Sequence, residues 1–140
     1  MARSTLHGPA MGTRWSATCE LAPGIDRAAL QQALAAAVQQ VDAQMSPWRP
    51  DSDLQRFNQA APGTWVALPP ALLQVLAAAL DVCRASDGAF DPGLGALVDA
   101  WGFGAVRRVP DANAIRAARQ QPPLPAHQWL ELDAGAQRAR

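Results

Sequence analysis

Between Thr13 and Glu20 the side chains alternate. Trp15, Ala17 and Cys19 fall on one face, and Arg14, Ser16, Thr18 and Glu20 on the other. A period of two predicts a half-buried strand. Pro23-Gly24 marks a turn, and Asp26 is placed to cap a helix. The period then lengthens: Leu30, Leu34, Val38, Val41 and Met45 recur at intervals of three and four. This predicts an amphipathic helix of about five turns with its apolar stripe toward a core.

Pro47 and Pro50 end that helix and open a loop. Asp51 or Ser52 caps a short helical turn through Leu54 and Phe57, and Trp65–Leu68 reads as a short strand. Pro69-Pro70 starts a second long helix with Leu73, Leu76, Leu80 and Cys83 as its buried stripe. Asp87-Gly88 closes it, with Gly88 available for a left-handed cap. After a tight connection at Phe90–Gly93, a shorter helix is expected over Leu94–Trp101 and another over Asp111–Arg119, broken by Pro122, Pro123 and Pro125. Gly102 and Gly104 flank Phe103, which argues for close backbone packing or a ligand-facing turn. Trp129–Asp133 alternates like a strand.

The chain has 140 residues, 49% of them apolar and 17% charged, the profile of about one globular domain. Net charge is +0, so no overall field draws in nucleic acid or an anionic membrane. All basic residues are Arg, which excludes a Lys base, a Schiff base or a phosphate-gripping Lys in these residues. Cys19 and Cys83 are far apart, outside any Cys-x-x-Cys pair, and His7 and His127 are near neither in sequence. Two reduced, partly buried thiols are expected, with a disulfide left open. No secretory h-region and no apolar stretch of about 20 residues is visible, so a cytoplasmic location and no transmembrane segment are the default expectation.

Three clusters stand apart from the helix and strand stripes. The first is Pro9-Ala-Met-Gly-Thr13, read as the entrance to the first strand. The second is Met45-Ser-Pro-Trp-Arg-Pro-Asp-Ser-Asp-Leu-Gln-Arg-Phe-Asn58, with Trp48 on a proline-braced loop. The third is Ser86-Asp-Gly-Ala-Phe-Asp-Pro92, followed by Trp101-Gly-Phe-Gly104. Taken singly they are a strand entrance, an anchor residue, a solvated charge run and a turn. In this order and spacing they resemble the FAD:protein FMN transferase family, the ApbE family, from about Gly8 to Asp133.

The resemblance implies an α+β fold with a mixed sheet flanked by helices, of which residues 1–140 form the N-terminal portion of one domain. It implies FAD as substrate, Mg²⁺ as cofactor, and a partner flavoprotein that receives FMN on a Thr or Ser hydroxyl while AMP leaves. Carried over residue by residue, Met11, Trp48, Ala89, Phe90 and Asp91 are expected to bind FAD. Trp48 stands where the family usually has Tyr: the stacking face is kept and the phenol hydroxyl lost. Asp91 is expected to accept hydrogen bonds from a ribose or an adenine amine. Ser46, Ser52 and Asn58 are expected to brace the loop. No catalytic residue is assigned.

The family's metal ligands, and a Gly-rich, Lys-containing stretch, lie further along than Arg140, so no metal ligand is expected here. Family members are commonly periplasmic or lipid-anchored at the inner membrane. A strand at Trp129–Asp133 needs a pairing partner, yet seven residues remain after Asp133. The natural fold is therefore expected to continue, and this chain to be inactive alone. Two other readings stay open: FAD pyrophosphatase activity with water as acceptor, and a non-catalytic remnant that binds flavin or a partner.

Overall fold

The computed structural model describes residues 2–105, 109–120 and 124–140. A first strand, β1 (Ala2–Ala10), pairs antiparallel with β2 (Thr13–Leu21), in register from Ala2 opposite Leu21 to Ala10 opposite Thr13. In β2, Trp15, Ala17 and Cys19 are half-buried and the residues between them exposed, as the alternation predicts. Met11 and Gly12 form the two-residue turn at φ of 50° and 71°. Positive φ at both positions is the turn geometry whose twist matches a hairpin. The Met-Gly-Thr segment is thus a hairpin tip, not the entrance to the first strand.

The pattern hid β1 because Gly8 and Pro9 interrupt it and Leu6 is its one large apolar residue before the tip. Residues flanking a two-residue turn form a hydrogen-bonded pair, so Pro9, one step further, turns its missing donor to the free edge. Gly8 leaves room for the Trp15 indole across the ribbon, where an added Cβ would lie 2.8 Å from Nε1.

Asp26 Oδ1 accepts from the N–H groups of Ala28 and Ala29 at 2.8 and 3.2 Å and starts α1 (Arg27–Met45). Arg27 donates to the Thr5 carbonyl and Gln31 to the His7 carbonyl, tying α1 to β1. Yet no residue of α1 is fully buried. The expected stripe is half covered, because β1 and the short α2 (Asp53–Asn58) are its main neighbours among the described residues.

The core lies elsewhere. β3 (Val66–Ala67) leads to α3 (Pro70–Ala85), which buries the four expected stripe residues and also Leu72. Val66, Leu68 and Ala139 complete the cluster, with Met45, Leu54, Phe57 and Leu132 packed against it. α3 stops at Ser86: Asp87 donates to the Arg84 carbonyl and Gly88 to the Cys83 carbonyl. This is the Schellman pattern, and Asp87 itself takes the left-handed position at φ 50°, with Gly88 following at 78°. α4 (Gly95–Ala100) and α5 (Ala112–Arg119, capped by Asp111) form as predicted. The helix-breaking roles of Pro122 and Pro123 lie outside the described residues.

The last expected strand shrinks to β4 (Leu132–Asp133), and Trp129 instead follows a 3-10 turn at Ala126–Gln128. The partner of β4 is in the chain. β5 (Arg138–Ala139) pairs antiparallel with β4 on one side and β3 on the other. The unpaired-strand premise is therefore corrected: residues 134–137 turn the chain back on itself. The guanidinium carbons of Arg138 and Arg140 each lie 4.6 Å from the Trp65 ring centroid. These cation–π contacts tie Trp65, just before β3, to β5. The class is α+β. All pairings among the described residues are antiparallel, in two small sheets, where the resemblance implied a mixed one.

Candidate functional site

The loop after α1 is built from two buried hydroxyls. Ser46 and Ser52 are 1% and 0% exposed. Ser52 Oγ donates to the Ser46 carbonyl at 2.8 Å and accepts from the Gln55 N–H at 3.1 Å, so it closes the loop and caps α2 together. Ser46 Oγ accepts from the Trp48 N–H at 3.2 Å. Of the two cap candidates, the structure uses Ser52.

Arg49 adds an electrostatic brace. It meets both Asp51 carboxylate oxygens, at 3.2 and 2.9 Å, and reaches Asp42 of α1 at 3.4 Å. Its hydrogen bond to Asp51 raises the Arg49 pKa and holds the Asp51 carboxyl below its ordinary value. Arg56 reaches Asp53 and the Ala67 carbonyl. These charges are a scaffold, and the loop they hold presents Trp48 with 54% of its surface exposed.

The segment after α3 is pinned as tightly. Ser86 Oγ accepts from the Phe90 N–H at 3.0 Å. Asp91 Oδ1 accepts from the Gly93 N–H at 2.8 Å, an Asx turn, and from the Ala126 N–H at 3.1 Å. Among the described residues no donor reaches its Oδ2. At the end of α4, Gly102 at φ 80° donates to the Asp99 carbonyl and Phe103 to the Val98 carbonyl. This Schellman stop swings Phe103 outward, 79% exposed.

These segments enclose a cleft of about 680 Å³, walled by Trp48, Phe57, Asp91, Val98, Phe103 and Trp129. That volume is within the roughly 300–1,000 Å³ of small-molecule sites. Four aromatic side chains and two carboxylates, Asp91 and Asp99, suit a ligand with flat rings and hydroxyl or amine donors.

Of the five residues expected to bind FAD, the cleft gathers Trp48 and Asp91. Ala89 and Phe90 are exposed on the approach to Asp91, and Met11 is exposed at the hairpin tip; none of these three lines the cleft. Asn58 lines it, beyond any bracing role. Trp129 is the residue that sequence reading assigned to a strand and missed as a wall. Its Nε1 donates to the Leu124 carbonyl at 3.0 Å. The available signal was Gly93, where an added Cβ would lie 2.7 Å from the Trp129 ring.

Among the described residues no group of three or more His, Cys, Asp or Glu side chains converges as a metal site would require. Among the described residues the donor set does not fit a Mg²⁺ ion. No helix among the described residues is long and apolar enough to cross a membrane.

The α+β scaffold is shared with solved flavin transferases. The chain aligns over 99% of its length with the Pseudomonas stutzeri flavinyl transferase ApbE in its apo form, at TM-score 0.81 and 33% identity, covering 46% of that chain. The flavin transferase ApbE from Vibrio cholerae aligns at TM-score 0.86 and 30% identity, with 99% of this chain and 44% of that one covered. Residues 11–140 match the ApbE family, and the chain belongs to it. Curated relatives agree. The FAD:protein FMN transferase of Vibrio cholerae is 36% identical over 118 residues, which is 81% of this chain and 35% of the relative. That of Klebsiella pneumoniae is 34% identical over 122 residues, 83% of this chain and 34% of the relative. The chain thus spans about a third of the length of these relatives.

Proposed function

We propose that this chain supplies one wall of the FAD site of an FAD:protein FMN transferase, as the N-terminal portion of that single domain. The observation that carries the reading is the cleft in which the Trp48 loop and the Asp91 turn, 43 residues apart in sequence, meet. Trp48 offers a ring to stack on FAD. Asp91, with Oδ1 held by two backbone donors, presents Oδ2 to a ribose hydroxyl or adenine amine. Ala89 and Phe90 extend the approach to that carboxylate, and Met11 contributes from the hairpin tip.

In the complete reaction a Thr or Ser hydroxyl of the acceptor flavoprotein attacks the phosphorus of the FMN half. The bond between that phosphorus and the bridging oxygen breaks, AMP departs with the oxygen, and the hydroxyl proton passes to a base. Mg²⁺ would neutralise the pyrophosphate charge in that reaction. The residues described here hold FAD and orient it but gather no metal-binding set, so this chain is proposed to be inactive by itself.

The test is a flavin fluorescence titration of the purified chain with FAD, with and without Mg²⁺. Binding that is indifferent to Mg²⁺, and about tenfold weaker in Trp48→Ala, is expected from the loss of one stacking face. Binding unchanged in Trp48→Ala would overturn the site assignment. FMN transfer by this chain alone would overturn the proposal that it is inactive.

A further inference from the structure

Cys83 and His127 are 44 residues apart and have no place in the site described above. The structure brings Cys83 Sγ to 3.3 Å from His127 Nδ1. Cys83 is 0% exposed, at the last turn of α3. His127 is in the 3-10 turn at Ala126–Gln128, which packs against α3. Ala126, the neighbour of His127, is itself fully buried, and its N–H is one of the two donors on Asp91 Oδ1. The next residue but one, Trp129, is a wall of the cleft.

We propose that Cys83 and His127 are positioning residues for flavin nucleotide binding, a latch that holds the 3-10 turn on α3 and so fixes the Asp91 carboxylate and the Trp129 ring. The inference rests on the reading of the cleft as an FAD site. Its geometry is a chain of contacts: thiol to imidazole, turn to Ala126 N–H, N–H to carboxylate. A carboxylate held at one oxygen by two backbone donors is aimed without further ordering cost on binding. With the latch released, the Ala126 donor moves, and Gly93 remains as the one described donor holding Asp91 Oδ1. The chemistry at the latch is a hydrogen bond in either direction: the thiol donates to an unprotonated Nδ1, or a protonated Nδ1 donates to sulfur.

The experiment compares the full chain with His127→Leu, His127→Asn and Cys83→Ala by two readouts. One is amide hydrogen exchange at Ala126, without ligand. The other is the FAD dissociation constant. His127→Leu and Cys83→Ala are expected to speed exchange at Ala126 and weaken FAD binding, each by up to about tenfold, the scale of one lost hydrogen bond. Leu73 in α3 should keep its protection. His127→Asn places a nitrogen where Nδ1 was and should restore both readouts. Unchanged Ala126 exchange in His127→Leu would overturn the latch, as would acceleration spread equally to Leu73, which marks general loosening. If the parent chain binds no FAD, the cleft reading fails by itself, while the Ala126 exchange still decides the latch.

Discussion

Two helices of this protein face their surroundings very differently. α1 has nineteen residues and buries none of them; α3 has sixteen and buries five. The difference lies less in the helices than in what meets them. α3 is covered by β3, β5 and the margin residues Met45, Leu54 and Phe57. α1 lies on a two-stranded ribbon whose other face is open. A hydrophobic stripe stabilises in proportion to the area that neighbours remove from water, so identical periodicity yields a core in one place and a half-wet face in the other.

The largest test of this contrast is truncation of one leucine in each helix. Leu72→Ala, at a site 2% exposed, should lower stability by about 2–5 kcal/mol in urea unfolding. Leu34→Ala, half-buried on α1, should cost about 1 kcal/mol or less. Equal losses would show that the two helices share one core.

The joint between the regions comes next. Ser52→Ala removes the α2 cap and leaves the Ser46 carbonyl without its donor. A loss of about 1–3 kcal/mol is expected, with weaker FAD binding because the Trp48 loop loosens. If stability falls and FAD affinity does not, the loop geometry is not what presents Trp48.

The smallest effect belongs to the β4–β5 turn. The Ala136 N–H, and then Arg138, hold the Asp133 carboxyl below its ordinary value of 3.8. A depressed carboxyl contributes stability above its unfolded pKa and loses it as pH falls through the folded one. Asp133→Asn should therefore be less stable than the parent at neutral pH, and the two should converge as pH drops below 3.8. A gap that persists unchanged in acid would assign the loss to packing instead of charge.

Much of this architecture was legible from local pattern. The strand at Thr13–Glu20, the Asp26 cap, helices α1 to α5 and the stripe Leu73-Leu76-Leu80-Cys83 follow from period and punctuation, because each depends on residues a few positions apart. β1 was not legible, since its pairing with β2 makes a strand of residues with no alternation of their own. Trp129 was misread for a related reason: alternation over five residues cannot distinguish a strand from a turn whose indole packs over Gly93. Within the site, Ser52 was legible as a cap candidate and Trp48 from its place between prolines, while the bracing by Ser46 and Ser52 was expected only from the family resemblance.

The sequence by itself determined the local faces, the caps and stops, and, through four ordered motifs, membership of the ApbE family. Tertiary structure alone decided that β5 lies between β3 and β4, that Trp48 and Asp91 share a cleft which Met11, Ala89 and Phe90 do not line, and that Cys83 meets His127. The physical reason is range. Backbone periodicity records which side of an element avoids water, while the identity of the partner across the gap depends on chain closure over tens of residues and on packing that no short window contains.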